Sequence, residues 1–114
     1  MNQLKNHEIP LQQAMEMTAL YRGHRPSNFP ISEMFSKAAI RKLLAAGGCA
    51  YMRIYLGMTE DLQVTAILVA ANADGEDMLP ASAATGKTST EPVILEDGYR
   101  CPDDCPKSSM LNGS

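Results

Sequence analysis

Two neighbouring stretches of this sequence carry a period-2 pattern that fits an antiparallel hairpin better than any amphipathic helix. From Cys49 to Gly57 one set of alternate residues is Ala50, Met52, Ile54 and Leu56, and the other contains Tyr51, Arg53 and Tyr55. Alternation puts the two sets on opposite faces of a strand, one apolar and expected to be buried, the other amphipathic. Met58-Thr59-Glu60-Asp61 is a short polar turn; Leu62 to Asn72 then reads as a strand rich in Val, Ile and Thr that closes at Ala73-Asp74-Gly75. From Ala66 to Ala71 both faces of this second strand are apolar. That pattern implies a central place in the sheet or a second covered face.

Two helices are expected before the hairpin. Leu11, Ala14, Met15, Thr18, Tyr21 and Arg22 recur at three- and four-residue steps, which predicts a helix from about Pro10 to Arg22. Pro10 suits its first turn and Gly23 is placed to end it. The stretch from His24 to Pro30 holds two prolines and reads as a connector. In the second helix Ser32 is the expected N-cap. Ile31, Met34, Phe35, Ala38, Ala39, Leu43 and Leu44 form its apolar face, and Gly47-Gly48 stops it. Glu33 and Lys37 are expected four residues apart on its polar side.

Beyond the hairpin the signal thins. Residues 80–92 are expected to form a mobile loop, Val93-Ile94-Leu95 a third strand, and 100–114 a loosely ordered tail. The expected architecture is α+β, one domain over residues 1–114: two N-terminal helices packed on a small antiparallel sheet of three to four strands. Its ordered core would be drawn from about 9–79 plus 93–99. Roughly 75 ordered residues is close to the size at which a single core is marginal, so a homo-oligomer is the main physical expectation.

The 114 residues include 45% hydrophobic and 20% charged side chains, close to globular averages, which argues against a disordered, collagen-like or coiled-coil chain. Ten Lys and Arg against thirteen Asp and Glu give a net charge of -3, so there is no basic footprint for nucleic acid. No apolar run reaches the length of a membrane span, and the first eight residues lack the features of a secretory signal. A cytoplasmic location is therefore expected. Cys49, Cys101 and Cys105 are too few for a disulfide framework, and in a reducing compartment they are expected to be thiols or metal ligands.

Several landmarks fall in a characteristic order: Met17-Thr18 and Tyr21-Arg22, Phe35-Ser36-Lys37, Leu43-Leu44, Gly48-Cys49, Arg53-Ile54-Tyr55-Leu56-Gly57, Ile67-Leu68-Val69, and Cys101-Pro102-Asp103-Asp104-Cys105-Pro106. Together they resemble a family of short uncharacterised bacterial proteins with an Arg-Ile-Tyr strand and a C-terminal Cys-Pro tail. The resemblance implies an α+β domain and carries no activity or site residue with it.

Few residues suggest chemistry. Gly86-Lys87-Thr88 ends like a phosphate-binding loop, but position 81 is Ala81 rather than the glycine that loop needs, and Ser89-Thr90-Glu91-Pro92 makes a poor helix start. It reads as a flexible loop. Cys101 and Cys105 have the spacing of half a zinc site, or could form a reversible disulfide. The other half of such a site is missing, which leaves zinc a weak candidate and no cofactor predicted. Cys49 has no His or Asp pattern beside it and reads as a packed thiol. Tyr51, Arg53 and Tyr55 form the constellation best suited to recognition, since two phenols beside a guanidinium can hold a small anionic ligand or make a subunit contact. Arg22, His24 and Arg25 would add positive charge if the end of the first helix lies nearby. The functional expectation is a non-enzymatic binding or interaction module, with a thiol or metal-binding protein as the alternative. An enzyme acting on a small anion through Arg53 and His24 has only composition behind it.

Overall fold

The structure is a computed structural model that describes residues 5–81 and 91–113. It is α+β, with helices α1 (Leu11–His24) and α2 (Lys37–Leu44) and antiparallel strands β1 (Ser32–Met34), β2 (Cys49–Met58), β3 (Val64–Asn72), β4 (Asp77–Met78), β5 (Ile94–Leu95) and β6 (Tyr99–Cys101). The strands form two sheets rather than the single expected one. β2, β3, β4 and β5 make a four-stranded sheet, and β1 pairs with β6 in a separate ribbon. No helix among the described residues is long and apolar enough to cross a membrane.

The hairpin forms as its alternation requires, with Met52 opposite Ala70, Ile54 opposite Leu68 and Leu56 opposite Ala66. Its turn is longer than expected. Thr59 N–H bonds to Gln63 O at 2.9 Å, the Thr59 hydroxyl accepts from Gln63 N–H, and Leu62 takes φ 68°, so pairing restarts at Val64 instead of Leu62. At the far end Asn72 Oδ1 accepts from the N–H groups of Asp74 and Glu76, and Gly75 at φ 81° completes the turn into β4. β3 is central. One of its edges carries β2, and the other is shared by β4 at Ala70 and Ala71 and β5 at Leu68 and Val69.

The expected helix start at Ser32 is corrected. Residues 32–34 are a strand because β6 lies alongside them, with Glu33 directly opposite Arg100 and Ile31 N–H bonded to Cys101 O at 2.8 Å. α2 starts instead at Ser36, whose side-chain oxygen accepts from Ala39 N–H at 3.1 Å. It is short, and it lies over β3 and β5 as well as the start of β2. Leu43 and Ala46 pack there on Leu68 and Ala70, joined by Phe35, Ile40, Met78, Val93 and Leu95.

The first helix departs further from expectation. It runs through Gly23 to His24 and stops because Pro26 forces Arg25 into extended backbone at φ -65°, ψ 126°. Not one of its residues is buried, so it is not the second helix packed on the sheet that the pattern predicted. Its C-terminal end is fastened elsewhere: the Tyr21 hydroxyl donates to Pro30 O, and Arg22 donates to Leu111 O at 2.5 Å. Apolar side chains lie on more than one side of α1, with Met15 half-buried and Leu11, Met17 and Leu20 exposed.

The tail, expected to be loose from residue 100, is anchored at its start. Cys101 is fully buried, and Arg100 reaches into the space between the two sheets. Most of the loop expected at 80–92, including Gly86-Lys87-Thr88, lies outside the described residues.

Candidate functional site

The two faces of β2 come out differently from the sequence expectation. On the odd face, Arg53 forms an ion pair with Asp77, and the Tyr55 hydroxyl donates to the other oxygen of the same carboxylate. Asp77 stands on β4, two strands away across β3, so the Arg53 and Tyr55 side chains must lie over β3 to reach it. They pass above Val69 and Ala71, which are 2% and 0% exposed. The polar face is therefore a roof for the central strand, with the aliphatic and ring portions covering it and the polar tips meeting in solvent. Tyr51 is half-buried on the same face.

The cluster shifts its own protonation equilibria. The Tyr55 hydrogen bond, assisted by the Arg53 guanidinium, holds the Asp77 carboxyl below the ordinary aspartate value against the opposing effect of desolvation. Donation to Asp77 raises Tyr55, and the same carboxylate raises Arg53. For Asp77 the depressed folded value means that its stabilisation is present above the unfolded value of about 4 and is lost as pH falls through the folded one. For Tyr55 the raised folded value means stabilisation fully present below the unfolded value of about 10 and lost as pH rises from there through the folded one. Urea unfolding of wild-type chain is thus expected to show an acid-side step below about pH 4 that Asp77→Asn lacks. Superimposable acid limbs for the two proteins would show that the roof contributes nothing there.

Arg22, His24 and Arg25 do not join this cluster. Arg22 bonds to Leu111 O, Arg25 to Phe29 O at 2.6 Å, and a His24 ring nitrogen lies 2.9 Å from Leu20 O. Tyr21, next to them, borders a space shared with Ile54 and Leu56, on the opposite face of the sheet. The sequence reading missed Asp77, which fills the position between Arg53 and Tyr55 that a small anion would take. The available signal was its place two residues after Gly75, which returns the chain alongside β3.

The even face, expected to be buried, is open over β2. Met52, Ile54 and Leu56 are 38%, 57% and 73% exposed, because the eight-residue α2 packs its buried Leu43 on Leu68 and Ala70 of β3 and is too short to cover β2 along its length. A groove of about 420 Å³ runs along this face, lined by Tyr21, Phe29, Pro30, Ile31, Phe35, Ile54, Leu56, Ala66 and Leu68. At the start of β2 a bulge between Cys49 and Tyr51 breaks the alternation, and Cys49 packs against the α2 core.

Cys101 and Cys105 are joined in a disulfide with Cα atoms 4.6 Å apart, so in this form neither sulfur is a thiolate free to hold zinc. Among the described residues no group of three or more His, Cys, Asp or Glu converges as a metal site. No protein family, curated protein or solved structure matches the chain.

Proposed function

We propose that this chain is a non-enzymatic interaction module that works as a homo-oligomer, with its contact surface on the exposed side of β2. The observation that carries this reading is the apolar stripe Met52, Ile54 and Leu56, left open beside an apolar groove in a chain with little core to spare. The Tyr51, Arg53 and Tyr55 face favours a ligand less, because its guanidinium is already paired within the chain.

Light scattering on the purified chain should give at least twice the 12.4 kDa chain mass. Leu56→Lys should weaken the association at least about tenfold, a loss of about 1.4 kcal/mol. A monomer at every accessible concentration would sink the reading. The alternative, a thiol-based role, has the Cys101–Cys105 pairing in its favour. Thiol titration in denaturant without reductant should then find one free thiol per chain, Cys49, rising to three after reduction. Three thiols from the start, masked until a chelator is added, would point to zinc instead.

A further inference from the structure

Among the described residues β2 has a neighbour on one side only, so it presents ten residues of open sheet edge. Monomeric proteins usually blunt such an edge with proline, lysine, inward charge or a cover. β2 contains no proline, no lysine and no acid, and its single charge, Arg53, is already paired with Asp77. Its one irregularity, at Cys49 and Tyr51, leaves the run from Met52 to Met58 in regular register.

We infer that a second copy of this chain pairs with that edge, β2 against β2 in antiparallel orientation about a two-fold axis at Ile54. This rests on the self-association reading above and specifies its geometry. Side-chain chemistry selects the register. Centring on Arg53 would set two like-charged residues directly opposite one another, which is less favourable. Centring on Tyr55 would set Arg53 against the partner's Gly57, with no side chain to meet. Centring on Ile54 places Met52 opposite the partner's Leu56, an apolar pair. It also places Arg53 opposite the partner's Tyr55, the tips of both drawn back over β3 to Asp77, and Tyr51 opposite the partner's Gly57. An aromatic ring across from a strand glycine covers the backbone that the glycine leaves bare. Ile67 already lies over Gly57, where an added Cβ would come within 2.6 Å of its Cδ1, so the ring would have an apolar surface to rest on.

The pairing joins two four-stranded sheets into one and sets Met52, Ile54 and Leu56 of both copies side by side on a single face. Each contact is made twice, as a two-fold interface requires. It also uses the feature that the monomer leaves unexplained, an apolar stripe at a sheet edge.

Cysteine cross-linking in the otherwise intact chain tests it, with Cys49→Ala removing the one free thiol. Directly opposed residues in an antiparallel pair have Cα atoms about 4.5–5.5 Å apart, within disulfide range. Under mild oxidation Ile54→Cys should give a covalent dimer. Met52→Cys alone and Leu56→Cys alone should not, whereas a mixture of those two should give the heterodimer. Circular dichroism of each variant confirms that it is folded before oxidation. A dimer by light scattering that fails to cross-link at Ile54→Cys, or that cross-links at Met52→Cys alone, overturns the β2 pairing and leaves the interaction module standing. A monomer by light scattering overturns both.

Discussion

Replacing Arg100 with Met is expected to remove about 1–3 kcal/mol of folding stability, the range for leaving a mostly buried acceptor without its partner. Arg100 ties the two sheets together. One guanidinium nitrogen donates to Val64 O and to Glu33 Oε2 at 3.2 Å; the other donates to Asn28 O at 3.0 Å and Gln63 Oε1 at 3.3 Å. The Glu33 side chain is only 6% exposed, and its second oxygen accepts from Ala66 N–H on β3 at 3.1 Å. Met keeps the apolar stem of the arginine but leaves that mostly covered carboxylate without its cation. Against a total stability of about 5–15 kcal/mol for a domain of this kind, the loss is a large fraction. Urea unfolding followed by circular dichroism at fixed protein concentration measures it. Adding Glu33→Gln should recover part of the loss, since the amide oxygen can still accept from Ala66 without carrying a buried charge. A loss below about 1 kcal/mol for Arg100→Met would mean that solvent reaches Glu33 and that the clamp is not what joins the sheets.

Neither member of that clamp was legible in the sequence, and the reason is physical. Glu33 stands four residues before Lys37, which matches an exposed helical pair as well as it matches a strand residue. What decides between them is β6, which arrives from 67 residues further along the chain. Local pattern registers propensity and periodicity, and a partner supplied by tertiary structure overrides both. The hairpin was legible because its two strands are adjacent and carry their own alternation. β3 was legible as a central strand because its side chains are apolar on both faces. The odd face of β2 was recognised as a unit, but its meaning changed once Asp77 entered from β4, since a fixed carboxylate turns an apparent anion receptor into a self-satisfied roof. The even face was assigned to the core because alternation identifies an apolar face without saying whether anything covers it. α2 is too short for that, capped at Ser36 rather than Ser32, and α1 brings Tyr21 to the groove beside the stripe without burying it.

That distinction between apolar and buried predicts opposite outcomes for two leucines. Leu43→Ala is expected to cost about 2–5 kcal/mol, because Leu43 is fully buried in the cluster with Ala46, Leu68 and Ala70 and its removal leaves a cavity. Several of its neighbours there are alanines, whose side chains have no rotamers with which to move into the space. Leu56→Ala removes the same atoms from a side chain 73% exposed, so in dilute monomer it should cost less than about 1 kcal/mol. Thermal unfolding at two protein concentrations separates the effects. The Leu43→Ala deficit should be present at both, shifting the midpoint by several degrees per kcal/mol in a domain of this size. The Leu56→Ala deficit should be negligible in dilute solution and grow with concentration, because a residue that stabilises only through a second copy acts by mass action. If Leu56→Ala instead proved as costly as Leu43→Ala at every concentration, the chain itself would cover the even face of β2. The edge beside it would then have no apolar stripe to offer a partner.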